Sequence, residues 1–433
     1  MQFMGAYFLR RFLLIPPTLF GVTLVVFLLT RFVPGGPLEQ RLAEMRKAGD
    51  GGASAGPGGA QALSEDQLEQ LKVTYRLDIG VVEGYFAWLG VWPYADQRKK
   101  IEFGETEKQL LLRSPGPRDP LLVKRKESGE FEVLNPDGKL SSTWKWRISE
   151  SQSAKPTTAT ADPAAPTPPK IEEVEIYRER FSGVLQGDFG NSFRYGEPVM
   201  DVILARWPTT IYFAVLSLLV SYLISIPLGI FKALKHRRWQ DNISSTLIFG
   251  GYAIPGYALA ALLATSWLVR NDWFPTGGLT SYNFLDLSAW GKVKDIAHHT
   301  VLPLCCYLIG AFAFLSMLMK NQLMDNLSAD YVRTAVAKGV PYHKAVTGHA
   351  LRNALIPIAT NLGFALSAFV GGSFLIERVF DINGLGLLGF ESIVDRDYPI
   401  VMAIVSISAL FMLLGNILSD FLVAMVDPRV RFD

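Results

Sequence analysis

The chain has 433 residues, 49% hydrophobic and 19% charged, with a mean hydropathy of +0.23, so its apolar content exceeds what one soluble core of this size needs. A net charge of +2 and the absence of any arginine-rich tract with interleaved aromatics point away from nucleic acid as a partner. Cys305 and Cys306, the two cysteines, are adjacent in an apolar run and can build neither a disulfide framework nor a four-ligand zinc site.

In chain order, uncharged runs long enough to cross a bilayer cover Phe12 to Thr30, Thr209 to Phe231, Ile243 to Val269, Thr300 to Met319, Ala354 to Ile376 and Pro399 to Leu418. Without strand-like alternation, such runs satisfy their backbone in lipid only as helices, which predicts an all-α polytopic membrane protein with six transmembrane helices. The first run follows Arg10 and Arg11 but is too long for a secretory signal and lacks a small-residue cleavage site, so it is expected to remain as an anchor. Residues 1–33 are then an N-terminal cytoplasmic tip and first span.

Residues 34–206 form an external segment too long for a turn. Gly49 to Gly59 reads as a flexible stretch and 151–170 as a Pro/Ala/Thr linker. Leu63 to Leu89 reads as helix; Gln109 to Arg113, Leu121 to Lys126, Glu130 to Leu134 and Thr143 to Ile148 read as strands, giving a small β-rich module over about 93–150. A second helix is predicted from Glu172 to Leu185. Pro198 to Arg206 is amphipathic, with Val199, Val202 and Ile203 on one face, and fits an elbow lying on the outer membrane surface or a plain connector.

The remainder, 207–433, is the membrane core. Its short loops carry Lys232, Lys235, Arg237, Arg238, Lys320, Arg333, Lys338, Lys344, Arg352, Arg429 and Arg431 on the side of Arg10 and Arg11, against Arg270, Lys292, Lys294, Arg378 and Arg396 on the other. The positive-inside rule then places both termini in the cytoplasm. The loop at 320–356 holds the most informative stretch. Asp330 is a fair N-cap, Thr334 to Lys338 continue a short helix, Gly339 suits a left-handed C-terminal residue, and Pro341 suits the first turn of the next helix. Two short helices meeting at a bend, with Ala335, Ala337 and Gly339 at its tip and Arg333, Lys338 and Arg352 around it, can serve as a docking knob or equally as an ordinary hairpin packed on its own membrane domain.

This loop resembles the EAA loop of binding-protein-dependent ABC importer permeases. Arg333, Thr334 and Ala335 match its first three positions, Gly339 its glycine, and His349 to Pro357 the variant typical of dipeptide and oligopeptide permeases; it departs where Arg333 replaces the opening Glu and Arg352 replaces a proline. Arg31 to Pro37, Gly187 to Ser192, Asn383 to Leu388, Arg396 to Pro399 and Val426 to Arg431 resemble further signatures of that family, and the pattern is most similar to its Yej-type oligopeptide and microcin C branch. The resemblance implies the type I ABC importer permease fold and a peptide permease subunit of the bacterial inner membrane. It also implies a second permease subunit, two cytoplasmic ATPase subunits carrying the ATP and Mg, and a periplasmic peptide-binding protein. Arg333, Thr334, Ala335, Lys338, Gly339, His349 and Arg352 become the candidate ATPase-coupling residues.

No P-loop run occurs, so the chain is not expected to be an enzyme or to hold a cofactor itself. The uncharged runs disfavour a proton-coupled secondary carrier, and no catalytic constellation in the external module favours a tethered enzyme or scaffold. Gly363, Ser367 and Gly371 recur every four residues and suit close helix contact, within the chain or between subunits, while Asn361 and Ser373 are the candidate polar lining of a path. His298 and His299 read as interfacial packing, Asp381, Glu391, Asp395 and Asp397 as a solvated loop, and the insertion from Pro93 to Lys170 as decoration rather than a partner contact.

Overall fold

A computed structural model describes residues 2–32, 79–103, 109–113, 120–126, 130–135, 139–141, 144–148, 172–365 and 371–426. The chain divides into two compact units, Met1–Leu71 with Phe189–Asp433, and Lys72–Asp188. Gly49 to Gly59, the 151–170 linker, most of the helix expected from Leu63, most of the Arg31 to Pro37 signature and all but the first residue of the Val426 to Arg431 signature lie outside the described residues.

Helix α1 (Gln2–Phe32) belongs to the first unit, and α2 (Val81–Leu89) opens the described part of the second. Six strands follow: β1 (Tyr94–Phe103), β2 (Gln109–Arg113), β3 (Pro120–Arg125), β4 (Phe131–Leu134), β5 (Trp144–Ile148) and β6 (Glu172–Arg180). They form two antiparallel three-stranded sheets, ordered β1-β6-β5 and β2-β3-β4. Their shared core is Ile101, Leu121, Val123, Phe131, Val133, Val174 and Ile176, with Trp144 and Trp146 packed against it. The helix expected over Glu172 to Leu185 is instead β6. Val174 and Ile176 alternate into the core at period two. The charges that make the stretch look helical pair across strands, as in Arg147 of β5 with Glu175. Because β6 is the middle strand of its sheet, the module closes only with residues beyond the 151–170 linker.

In the other unit the helices are α3 (Val199–Leu234), α4 (Trp239–Tyr252), α5 (Gly256–Ala264), α6 (Trp267–Arg270), α7 (Ala289–Ser328), α8 (Asp330–Ala337), α9 (Tyr342–Ala345), α10 (Leu351–Ala354), α11 (Ile356–Ala365), α12 (Phe374–Val379), α13 (Leu385–Val394) and α14 (Tyr398–Val426). Four of these, α1, α3, α7 and α14, are each long and apolar enough to cross a membrane, and α4 with α5 makes a further span bent by 82°. The bend falls at Pro255, which caps α5 and cannot extend the preceding helix. The run from Ala354 to Ile376 is helical at α11 and α12, and 366–370 between them lies outside the described residues. The polytopic all-α class expected from the sequence is thus present, with the strands confined to Tyr94–Arg180.

Helices α3 and α7 pack most closely. On α3, Ser217, Ser221, Ser225 and Gly229 recur every four residues. Ser225 Oγ donates to Phe312 O on α7 at 3.3 Å, and a Cβ at Gly229 would stand 2.6 Å from Met319 Cβ and 2.8 Å from Ser316 O. A missing side chain is therefore what lets the backbones approach. Gly229→Ala gains helix propensity but overpacks this contact; it is expected to lower the thermal unfolding midpoint in detergent, at a net cost of about 1–3 kcal/mol.

The amphipathic stretch before the second span is not a surface elbow. Val199, Val202 and Ile203 begin α3 itself and are buried against Leu385, Leu388, Ile400 and Ala403, so the apolar face meets protein rather than lipid. At the other end of the unit, Tyr7 OH donates to Asp420 Oδ2 at 3.0 Å and Arg11 pairs with the same oxygen at 3.1 Å. Thr30 reaches Met402 on the same helix, so α1 and α14 run antiparallel, with the start of one beside the end of the other.

Candidate functional site

The bend read from the sequence is built as a hydrogen-bonded cap. Asp330 occupies the first turn of α8 while Ala329 takes the cap position, so the expected N-cap shifts by one residue and makes no side-chain cap bond. At the other end Gly339 has φ 89°. Its N–H donates to Val336 O at 2.9 Å and the Val340 N–H donates to Ala335 O at 3.1 Å. These two bonds form a Schellman cap, which a left-handed glycine permits at little cost. Pro341 then caps α9. Residues Val346–Ala350 form a π turn before α10. Its extra residue keeps Ala345, Ala350 and Ala354 on one buried face despite spacings of five and four.

That face seats the elbow. Val332, Ala345, Ala350 and Ala354 pack with Ala233 at the end of α3 and with Met319 and Leu323 of α7. A polar chain adds to it: Asn353 Nδ2 donates to Tyr331 OH at 3.1 Å, and Tyr331 OH donates to Asn326 Oδ1 at 2.6 Å. Small buried residues below and a fixed turn above leave the tip outside. Arg333, Thr334, Lys338, Gly339, His349 and Arg352 are exposed and Ala335 is half-buried. Nothing lies within 4 Å of where a Gly339 side chain would point. The tip also exposes Val336 at 41% and Tyr342 at 58%, apolar groups that glycine-centred reasoning did not single out. Their legible signal is an aromatic and a β-branched residue flanking Gly339 in a loop otherwise rich in charge.

Just inside this seat lies a buried charge cluster. Lys320 Nζ donates to both carboxylate oxygens of Asp241 at 2.7 Å, Lys232 Nζ lies 4.0 Å from Oδ1 and donates to Ser245 Oγ at 2.8 Å, and His236 lies 3.4 Å from Oδ2. The uncharged runs end just before these residues, but the helices extend past the runs and bury them. The cluster thus ties α3, α4 and α7 together beneath the elbow.

At the opposite end, two signatures distant in sequence meet. Asp397 is 1% exposed. It accepts from Ser192 Oγ and from the N–H groups of Phe193 and Arg194, both at 3.2 Å. It is a buried capping group, not part of a solvated acidic loop. Glu391 and Asp395 pair with Arg194. Nearby, Arg206 Nε donates to Asn383 Oδ1 at 2.9 Å and the Leu385 N–H donates to Thr210 Oγ1 at 2.8 Å. His298 and His299 turn to different partners, Trp273 O at 2.7 Å and Asp295 O at 2.9 Å. Among the described residues no group of three metal-ligating side chains occurs.

Between the two ends, α3, α5, α7 and the turn before α12 line a half-open cavity of about 320 Å³ that Ser373 also lines. A second, more open groove of about 330 Å³ between α7 and α11 is lined by Asn361. The candidate path residues therefore separate: Ser373 faces the cavity, Asn361 the groove, Gly371 is exposed, Gly363 lies in α11, and Ser367 is outside the described residues.

Long apolar helices, a bent span beside a cavity, and an elbow projecting from one end define a multi-pass membrane protein. The model of the family described as binding-protein-dependent transport system inner membrane component matches residues 225–432. The chain is 33% identical over 433 aligned positions to the peptidoglycan transport system permease protein YejB of Agrobacterium fabrum, covering 99% of each. It is equally identical to the inner membrane ABC transporter permease protein YejB of Escherichia coli O157:H7, covering 99% of this chain and all of that one at 100%. The oligopeptide transport system permease protein AppB of Bacillus subtilis is 36% identical over 257 positions, 59% of this chain and 80% of that relative. The chain belongs to the binding-protein-dependent transport system inner membrane component family.

Proposed function

We propose that this chain is the translocating subunit of an ATP-driven peptide importer of the bacterial inner membrane, with the exposed tip around Gly339 docking into a groove on a partner ATPase. The observation that carries the docking role is the elbow's construction. A Schellman turn presents Val336, Gly339 and Tyr342 outward, while its other face is fixed to α3 and α7. A tip so held moves with the helices beneath it. ATP-driven closure of two such ATPases then transmits a displacement to the cavity wall, which α3 and α7 also form. Peptides as the substrate class follow from the oligopeptide permease among the relatives.

In this reading a second permease subunit completes the path and a periplasmic peptide-binding protein delivers substrate to the end where Asp397 and Ser192 meet. Arg11 and Asp420 lie at the elbow's end of the unit. This supports the cytoplasmic placement of both termini given by the positive-inside rule. The test is purification of the chain from its native membrane in gentle detergent. A co-purifying P-loop ATPase whose hydrolysis is stimulated by peptide and binding protein is the expected result. A chain that purifies alone, with no nucleotide-dependent activity, would overturn the importer in favour of a secondary carrier or a tethered scaffold.

A further inference from the structure

The turn before α12 contains a buried acid that the lever mechanism does not use. Glu377 is 2% exposed. Its Oε1 accepts from the Ser373 N–H at 3.2 Å and from Tyr307 OH at 3.4 Å, and its Oε2 accepts from the Leu387 N–H at 2.6 Å. Three glycines make room for it. A Cβ at Gly372 would stand 2.3 Å from Glu377 Oε1, one at Gly384 2.6 Å from its Cδ, and one at Gly386 3.1 Å from Oε1. This accounts for the glycines of the Asn383 to Leu388 signature: they cradle a carboxylate. Among the described residues the groups that hold Glu377 are backbone N–H donors and the Tyr307 hydroxyl, with no basic side chain beside it.

The acid sits directly behind the cavity wall. Tyr307 and Ser373, two of its donors, both line the cavity, and none of the lining residues is charged. Tyr307 is held by a near-parallel stack on Phe213, with centroids 5.6 Å apart. With its proton directed to Glu377 and the Ser373 N–H beside its oxygen, the phenol keeps one lone pair for a donor in the cavity, and the carboxylate behind it makes that oxygen a stronger acceptor. Dipoles hold the carboxylate but do not neutralise it, so the wall keeps a net negative charge that favours a cation.

We propose that Tyr307, backed by Glu377, forms a recognition point in the cavity for a primary ammonium group of the transported molecule, Tyr307 making the contact and Glu377 acting as the positioning residue. This rests on the peptide-importer reading, in which the ammonium is supplied by a peptide N-terminus or a lysine side chain.

The experiment uses the complete importer in proteoliposomes with its binding protein. It compares uptake of one lysine-free peptide with a free N-terminus, the same peptide N-acetylated, and an N-acetylated version carrying one lysine. Wild type is expected to favour the free amine over its acetylated form by about tenfold, the scale of one charge-assisted hydrogen bond. Tyr307→Phe and Glu377→Gln are each expected to shrink that ratio to about twofold or less. Since the binding protein is the same throughout, a change in ratio belongs to the permease. Recovery with the lysine peptide assigns the point to primary ammonium groups in general, and no recovery assigns it to the α-ammonium; both support the site. Tyr307→Phe leaves the backbone cradle of Glu377 in place, so it decides the matter alone should Glu377→Gln fail to assemble. An unchanged ratio in Tyr307→Phe overturns the site while leaving the peptide importer standing. Failure of wild type to take up any peptide overturns both.

Discussion

Gly339→Arg is expected to abolish ATP-driven uptake while leaving the chain folded in the membrane. The position has φ 89°, where an L side chain is strained, but nothing lies within 4 Å of the new Cβ. The folding cost is therefore confined to the backbone, about 1–2 kcal/mol for a residue forced into the left-handed region. The arginine side chain would instead stand in the outward space that a partner must enter. If the tip is the centre of a docking contact, blocking it costs at least about 2 kcal/mol of association, or roughly thirtyfold in affinity. Uptake in membrane vesicles and ATPase retention in pull-downs would fall together, with the unfolding midpoint moving little. Gly339→Ala separates the contributions, since it keeps the strain but adds only a methyl. Normal uptake by Gly339→Arg would remove the elbow from the mechanism.

The largest effect on stability is expected from Asp241→Asn. Asp241 is the acidic partner of both Lys320 and Lys232, and all three are buried, Lys232 to 0% exposure. Neutralising it leaves two ammonium groups in the interior facing one amide oxygen. Breaking a buried pair by removing one partner typically costs about 3–5 kcal/mol. The expected result is a much lower thermal midpoint in detergent and poor accumulation in the membrane. Lys320→Met added to Asp241→Asn should recover part of the loss, because it removes one of the stranded charges. A single mutant within about 0.5 kcal/mol of wild type would mean that the lysines find water or lipid headgroups instead.

What could be read from the sequence follows the reach of each signal. The Gly339 turn was legible because its hydrogen bonds span five residues or fewer and glycine and proline dictate them locally. The spans were legible because length and apolarity suffice. The strand at Glu172–Arg180 was not, since its two neighbours, β1 and β5, lie far upstream and its charges fit a helix equally well. The acids at Asp241, Glu377 and Asp397 were missed as buried groups for the same reason. Each sits at the edge of an apolar run, and only tertiary contact reveals whether water or another helix covers it. Signatures such as Gly187 to Ser192 and Arg396 to Pro399 could be recognised separately, yet that Ser192 and Asp397 are bonded to one another is written in neither. A second small-residue stripe, Ser217 to Gly229 on α3, went unremarked in the sequence, and it makes a close contact with α7.

The pairing of α1 with α14 bears on how the protein is made. Tyr7 and Asp420 are 413 positions apart. The first helix to leave the ribosome thus finds this partner only when synthesis is almost finished. Until then α1 lacks the contacts that α14 supplies, and Arg11 has no Asp420 to meet. Loss of the last helix would release the first, so a chain cut short near its end should betray itself to quality control at its beginning.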